Sequence, residues 1–228
     1  MANLSGGSTD RESRRSIVKL AFIGHGNVGG ALANRLQRLG HEVALAARDA
    51  NSESVKKLLA RNSAFKVTTP SEAVREAAVV VLAIPFQAIE QVLKPLKASL
   101  ADKILVDCTN PIGPGLTHGL GSRQSGTEMI QALLPETKVV KAFSIYGFEN
   151  FENSSYPGYN VKPAMMFCGN DTAAKSAVAG LLQGLGWEPL DVGGAEQALH
   201  LEHLTLLWVR MVRMGGRSPN TVWAVLTR

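Results

Sequence analysis

A short apolar run that passes through spaced glycines into a helical pattern constrains this chain most. Val18–Ile23 has the length and composition of a buried strand, and Gly24, Gly26 and Gly29 follow directly in the spacing G-x-G-x-x-G. The next apolar side chains recur on one helical face, at Val28, Leu32, Leu36 and Leu39. Strand, glycine turn and helix in this order predict a dinucleotide-binding unit.

Each glycine of this motif has a mechanical role. Gly24 allows the tight turn out of the strand, and Gly26 leaves room for a cofactor pyrophosphate to approach the backbone. Gly29 lets the helix pack close to the strand. The free amides and the dipole at the start of the helix then face the negative phosphates.

The composition predicts a globular α/β protein that binds small anions. Among 228 residues, 45% are hydrophobic and 19% charged, which is enough to bury a substantial core. The net charge of +5 comes without a Lys/Arg run or aromatic interleaving, so we expect anionic small molecules rather than nucleic acid as partners. No apolar run reaches the roughly 18 residues of a membrane span.

The N-terminus and the cysteines bear on the compartment. Residues 1–16 are polar and rich in Ser, Gly and Arg, and they are predicted to form a disordered leader. Residues 13–19 resemble a twin-arginine export signal, but cleavage after the following apolar stretch would remove the first strand and the glycines. We therefore expect a cytoplasmic protein, with export without cleavage as the alternative. Cys108 and Cys168 are predicted to be buried free thiols, which fits a reducing compartment.

The end of the second predicted strand bears on the choice between NADP and NAD. After Gly40, residues 41–46 read as a strand, and Arg48 and Asp49 follow it. In this fold a cation at that position pairs with a 2′-phosphate, whereas an acidic residue binds the ribose hydroxyls. Arg48 favours NADP, and Asp49 leaves the strength of the preference open.

Three further strand ends are expected at the same edge of the sheet, where the cofactor crevice lies. Residues 77–84 form a continuous apolar run that ends at Pro85 and Phe86, near the expected nicotinamide. Strand 104–107 leads into a loop at 112–126, whose length favours a ligand-covering role over a variable connection. Strand 138–143 ends in the segment 144–148. Asp107 is interpreted as a strand-end residue that binds nearby amides.

The C-terminal part of the chain predicts a smaller unit. We expect a Rossmann-type doubly wound parallel sheet in an NADP-binding domain at 17–160 and a small C-terminal α/β lobe at 161–228. This lobe has strands at 164–168 and 187–191 and ends in a long helix at 195–214. The alternative is that both parts share one continuous sheet. His200 and His203 share a helical face, but no third ligand accompanies them, so no metal site is predicted. The apolar stripe of this helix favours a homodimer.

With these residues read, the chain resembles the family of NADPH-dependent coenzyme F-420 reductases, to which the cytosolic domain of membrane-attached ferric reductases is related. The resemblance runs from about Val18 to about Met214. Its motifs are Ile23–Gly30, Ala83–Pro85, Val106–Pro111, Pro135–Phe143, Gly186–Gly193 and Leu201–Trp208. The last two are not general features of dinucleotide-binding folds and carry most of the specificity.

The resemblance implies direct hydride transfer between NADP(H) and a deazaflavin held face to face, without a catalytic triad or a metal. The NADP contacts that it predicts are Gly24, His25, Gly26, Asn27, Val28, Gly29, Arg48, Ile84, Pro85, Phe86 and Asn110. The deazaflavin would be lined by Phe143, Ser144, Ile145, Tyr146 and Gly147. The family often has Asn where this chain has Ser144, and the segment 146–159 is unlike that of archaeal members, so the hydride acceptor stays open.

Two other classes of function remain. An enzyme alternative reduces a flavin, a ferric chelate or an imine; an imine reductase akin to pyrroline-carboxylate reductase would need a longer all-helical C-terminal domain, which the strand-like segments 164–168 and 187–191 disfavour. A non-enzyme alternative is a module that senses NADPH and transfers no hydride.

Overall fold

The fold is a single eight-stranded sheet with helices on both faces. A computed structural model describes residues 17–228, and the predicted leader at 1–16 lies outside them. The strands of this part of the chain are β1 Lys19–Ile23, β2 Glu42–Ala46, β3 Lys66–Thr68, β4 Val79–Leu82, β5 Ile104–Asp107, β6 Lys138–Lys141, β7 Ala164–Gly169 and β8 Glu188–Asp191. Their spatial order is β3-β2-β1-β4-β5-β6-β7-β8.

The first six strands are parallel. Strands β2 and β3 lie on one side of β1, and β4, β5 and β6 lie on the other, as in a doubly wound sheet. The α-helices are α1 Asn27–Arg38, α2 Glu53–Arg61, α3 Pro70–Glu76, α4 Ile89–Leu93, α5 Lys97–Leu100, α6 Gly126–Leu133, α7 Glu149–Glu152, α8 Thr172–Gly184 and α9 Ala198–Val209. Strand β4 is wholly buried, which explains its unbroken Val-Val-Val-Leu sequence. The predicted Rossmann-type architecture is confirmed.

The sheet is parallel from β3 to β6, as predicted, and reverses direction at β7, for which the sequence predicted no direction. Residues Val140 and Lys141 of β6 pair antiparallel with Gly169 and Cys168 of β7. To run parallel to β6, β7 would need a crossover that brings the chain back to the amino edge of the sheet. Instead, β7 begins at the carboxyl edge, where β6 ends. The connecting segment 142–163 therefore stays at the carboxyl edge, where the crevice is expected.

The C-terminal strands continue the same sheet, because β8 pairs parallel with β7. The predicted long helix is a composite: a 3₁₀ turn at Ala195–Gln197 precedes α9, and a π-helical turn at Arg210–Met214 follows it. Residues 215–228 then form neither helix nor strand. Within 17–228, no helix has the length and apolar character that crossing a bilayer demands.

Candidate functional site

The glycine motif forms the tight strand-to-helix turn that the sequence predicts. Gly24 has a φ of +98°, and a methyl group there would lie 2.2 Å from the carbonyl oxygen of Ala83, next to β4. A methyl group on Gly29 would lie 2.0 Å from the carbonyl oxygen of Gly24. Only glycine fits at either position, because a backbone carbonyl oxygen lies where a side chain would begin. This close approach lets α1 pack against β1.

Gly26 has the opposite environment. It is exposed, and an added methyl group would meet no atom of the described residues within 4 Å. Gly26 caps α1 without a side chain, and the first turn of the helix contains no acidic residue. The amides of Asn27, Val28 and Gly29 therefore present the positive end of the helix dipole to open space, as an anion-binding helix terminus does.

His25 connects this turn to the next helix. Its Nε2 lies 2.9 Å from the hydroxyl of Ser54 at the start of α2, while its buried Nδ1 has no hydrogen-bond partner among residues 17–228. Burial lowers the pKa of His25, so the ring is neutral at neutral pH. An unused ring nitrogen beside the helix terminus offers a contact to a bound ligand.

A groove of about 530 Å³ runs from the glycine turn toward α2. Its lining combines the turn, two of the three cations of α2, one phenylalanine and one carboxylate: His25, Gly26, Asn27, Gly30, Ala31, Ser54, Lys57, Leu58, Ala60, Arg61, Phe148 and Glu152. Arg48 lies exposed two residues beyond β2. Asp49 accepts a hydrogen bond from the amide of Asn51 at 2.8 Å, so one of its carboxylate oxygens is used by the local turn.

The three residues that were predicted to contact NADP after β4 have different surroundings. Ile84 packs directly against the glycine turn, since a methyl group on Gly24 would lie 2.8 Å from its Cγ2. Pro85 is exposed. The Phe86 ring lies against the first residue of α6, where a methyl group on Gly126 would lie 2.5 Å from Cε2. Of the three, Ile84 is thus the one placed beside the glycine turn.

Asn110 joins the ends of two neighbouring strands. Its Nδ2 donates to the carbonyl oxygen of Ser144 at 3.1 Å, and its buried Oδ1 has no partner within the described residues. The hydroxyl of Ser144 is likewise buried and unpartnered there. Two unsatisfied polar groups at the carboxyl edge are the kind of exception that a ligand explains.

The predicted acceptor segment lies at this edge but turns its side chains inward. Phe143, Ser144, Ile145 and Tyr146 are each 5% exposed or less. Phe143 has a φ of +55°, a left-handed conformation that is uncommon for a non-glycine residue, and its ring packs edge-on against Phe151. The Tyr146 ring stacks on Trp187. Within this segment, the groups left for an acceptor are the backbone, Gly147 and the Ser144 hydroxyl, which has no partner among residues 17–228. The substrate role of the segment stays a prediction.

A buried charged network lies beneath the strand ends, and sequence reasoning missed most of it. Asp107 accepts from the amide of Thr109 at 2.9 Å, which confirms its predicted strand-end role. Lys141 lies 3.3 Å from Asp107 and 3.2 Å from Glu202 of α9. The available signals were a lysine directly after the two valines of β6 and Glu202, the one carboxylate in the leucine-rich α9.

The loop 112–126 is tied to this network. His118 Nε2 donates to Glu202 at 2.7 Å, because its Nδ1 accepts from the amides of Leu120 and Ser122. His203 contacts the Ser122 hydroxyl at 2.9 Å. Within residues 17–228, no three His, Cys, Asp or Glu side chains are grouped as a metal site would need. Both cysteines are buried free thiols, as predicted.

Comparisons with known proteins agree with this geometry. A family described as NADP oxidoreductase coenzyme F420-dependent matches residues 19–111, which include the glycine turn and Asn110. The crystal structure of a putative F420-dependent NADP-reductase from Arthrobacter sp. FB24 is 30% identical, with a TM-score of 0.77, over 87% of this chain and 95% of that one.

Two curated relatives are similar over less of their own length. The metalloreductase STEAP3 of Rattus norvegicus is 31% identical over 86% of this chain but only 38% of its own. The F420-dependent NADP reductase of Methanocaldococcus jannaschii is 31% identical over 60% of this chain and 63% of its own. Since the Arthrobacter protein is matched over nearly its whole length, the chain belongs to the family of coenzyme F420-dependent NADP oxidoreductases.

Proposed function

We propose that this protein transfers hydride between NADP(H) and a deazaflavin of the coenzyme F-420 type. The observation that carries the proposal is the glycine turn, in which Gly24 and Gly29 are packed against backbone while Gly26 and the start of α1 stay open. That arrangement accepts a pyrophosphate at the helix terminus. The name of the family supports the reaction class.

The cofactor half of the proposal rests on charge. Lys57 and Arg61 line the groove, and Arg48 lies at the end of β2, where the adenosine ribose is held in this fold. Asp49 is engaged with the Asn51 amide, which leaves it less available for ribose hydroxyls. These three cations favour NADP, with its additional 2′-phosphate, over NAD.

The bound cofactor would supply the hydride from its nicotinamide ring. With the reduced cofactor as donor, the acceptor would take up this hydride together with a proton from solvent, which balances the oxidation of the nicotinamide. The chain's own part is to hold the two rings at reacting distance and to exclude water. Ile84 beside the glycine turn and Asn110 at the end of β5 are the groups that we assign to the nicotinamide end.

A second acceptor class has specific support. The STEAP3 relative is named a metalloreductase and matches most of this chain. A flavin or a ferric chelate is therefore the alternative acceptor. An imine acceptor is disfavoured, since β7 and β8 continue the sheet where that class needs an all-helical domain.

The test follows the visible absorbance of oxidised coenzyme F-420 with purified protein and NADPH, and with NADH in parallel. We expect bleaching that depends on the protein and is faster with NADPH. NADPH binding without bleaching would remove the deazaflavin; flavins, ferric chelates and imines would then be assayed in turn. Binding without reduction of any of them would favour an NADPH-sensing module.

We also propose that the protein is a cytoplasmic homodimer. Leu207 and Met214, on and just after α9, expose 49% and 68% of their surface. Apolar side chains of this kind on a helix support a contact with a second copy. Sedimentation equilibrium of the wild type and of a Leu207→Glu variant tests this: the wild type should have twice the mass of the chain and the variant the mass of one.

A further inference from the structure

Four titratable side chains are sealed behind the carboxyl edge of the sheet, and the hydride transfer proposed above uses none of them directly. The side chains of Asp107 and Lys141 are 0% exposed, that of Glu202 is 1% exposed and that of His118 is 3% exposed. Burying so many charges is costly unless each is paired and hydrogen-bonded. Their arrangement therefore calls for a structural or functional reason.

Lys141 is the centre of the cluster. Its Nζ lies 2.8 Å from the carbonyl oxygen of Thr109, 3.3 Å from Asp107 and 3.2 Å from Glu202, which gives an acceptor to each of its three N–H groups. Burial by itself would lower the pKa of Lys141, but the two carboxylates outweigh it and raise the pKa. Lys141 is thus a cation held between two strand ends and α9.

The residue just before Asn110 is fixed by this cation and its partner. Lys141 binds the carbonyl oxygen of Thr109, while Asp107 accepts from the amide of Thr109 at 2.9 Å and from its hydroxyl at 2.7 Å. Both backbone groups and the side chain of Thr109 are therefore hydrogen-bonded. This leaves little freedom to the peptide from which Asn110 projects.

Helix α9 fixes the other side of Asn110. Glu202 and Thr205 lie about one turn apart on α9, so they share a face. Glu202 holds Lys141, and the Thr205 hydroxyl lies 2.9 Å from the carbonyl oxygen of Ser144, the same oxygen that accepts from Asn110 Nδ2. The amide of Asn110 is thereby oriented with its Oδ1 left without a partner among residues 17–228.

We propose that Lys141 is a positioning residue for hydride transfer, which acts with Glu202 to hold Asn110 in the orientation that the nicotinamide ring needs. This rests on the proposed function, in which the nicotinamide lies at the ends of β4 and β5. Glu202 extends the effect to the loop 112–126, because it also binds His118 and, at 2.9 Å, the amide of Gly126. One buried ion pair thus couples α9 and the loop to the cofactor edge.

The first experiment compares Lys141→Met with Lys138→Met. Lys138 begins the same strand, but its side chain is 40% exposed and its ion pair with Asp171 is 3.9 Å long, so it is a matched control. With coenzyme F-420 as acceptor, we expect Lys141→Met to lower kcat about 10- to 100-fold, the scale on which a small misplacement acts. The Kd for NADPH should change less than about threefold, because the phosphates supply most of the binding.

A deuterium label separates positioning from general loss of structure. With NADPH deuterated at the transferred position, the isotope effect on kcat should rise in Lys141→Met, because the hydride step becomes slower relative to the others. A folded Lys141→Met protein whose kcat and isotope effect match those of the wild type would overturn the proposal.

Glu202→Gln provides a second, milder variant that leaves Lys141 paired with Asp107. If Lys141 and Glu202 act as one unit, the double variant should lose little more kcat than Lys141→Met alone, whereas independent effects would multiply. Multiplicative losses would overturn the proposal. Should Lys141→Met not fold, an unchanged kcat in folded Glu202→Gln would overturn it as well.

A binding measurement keeps this inference separate from the proposed function. The fluorescence anisotropy decay of bound NADPH reports the motion of the reduced nicotinamide and needs no acceptor. We expect a faster ring motion in Lys141→Met and in Glu202→Gln than in the wild type, and no change in Lys138→Met. Failure of coenzyme F-420 reduction in the wild type would remove the deazaflavin alone, whereas unchanged ring motion in both variants would remove the positioning role.

Discussion

Gly26 and Gly29 lie within one turn of each other, yet the same substitution should affect them differently. An alanine methyl group at Gly26 meets no atom of residues 17–228 within 4 Å and the φ of −73° suits alanine, so Gly26→Ala should cost no more than about 0.5–1 kcal/mol, the loss expected when alanine replaces a better N-cap residue. The methyl group would instead occupy the approach of the pyrophosphate, so NADPH affinity should fall about tenfold or more. Thermal melting and NADPH titration measure the two effects.

Gly29→Ala serves as the comparison at the next position of the motif. Its methyl group would lie 2.0 Å from a backbone oxygen, so the turn must shift, at a cost of about 1–3 kcal/mol in unfolding free energy. If both variants lose stability equally and bind NADPH equally, Gly26 has no role in cofactor approach.

Arg48 allows a separate test of cofactor choice. If its guanidinium binds the 2′-phosphate, Arg48→Ala should weaken NADPH binding by about 1.5–3 kcal/mol, as expected for one charge-assisted contact. NADH lacks this phosphate, so its affinity should change little. Arg38→Ala, at the far end of α1, is the control for general charge loss. Isothermal titration that finds equal losses for both cofactors with Arg48→Ala would reject the 2′-phosphate role.

At the scale of elements, Tyr146 joins three parts of the chain. Its hydroxyl donates to the carbonyl oxygen of Ala164 at the start of β7 and accepts from the amide of Trp223 in the C-terminal tail, at 2.7 and 3.0 Å. Tyr146→Phe leaves both groups without this partner, so unfolding free energy should fall by about 1–3 kcal/mol.

The same variant tests the predicted substrate role of Tyr146. If the hydroxyl acts only between elements, KM for the acceptor should stay unchanged while the melting temperature falls. Phe143→Leu is a useful companion, since it alters the same buried segment without removing a hydroxyl. A raised KM in Tyr146→Phe, with stability retained, would place the hydroxyl at the substrate instead.

The helices and strands were predictable where the pattern of neighbouring residues determines them. The apolar run of β4, the glycine turn and the strands β7 and β8 are each encoded by neighbouring residues, and the structure has all of them. The direction of β7 was not predictable, because the apolar pattern of a strand is the same whichever way it runs. The left-handed conformation of Phe143 also has no sequence signal, since a phenylalanine rarely adopts a positive φ.

The site was predictable in part for the same reason. Its cofactor half lies on one contiguous motif, Gly24 to Gly29, whose meaning depends only on the strand and helix around it. The buried network is different, because Lys141 and Glu202 meet only after β6 and α9 have packed together. A charged residue among apolar neighbours indicates that its side chain is paired when buried, but the sequence does not show which residue is the partner.

At the scale of the whole molecule, the core built on the continuous sheet affects stability at alkaline pH, because both cysteines lie buried in it. Burial raises the pKa of Cys168 to about 12 and that of Cys108 further. In the folded state these thiols keep their protons, whereas in the unfolded chain they lose them above about pH 8.5. The unfolded state then binds fewer protons, so stability must fall as pH rises.

This linkage predicts the alkaline behaviour of the protein. Between about pH 8.5 and pH 10, each thiol should lower the unfolding free energy by about 1.4 kcal/mol per pH unit, because the folded forms stay protonated throughout this window. Lys141, whose pKa is also raised, lowers the unfolding free energy in the same way, but only at higher pH, where lysines of the unfolded chain lose their protons. Urea unfolding at successive pH values measures the slope. In the Cys108→Ala/Cys168→Ala variant the slope of this window should largely disappear; an equal slope in both proteins would show that the buried thiols do not control it.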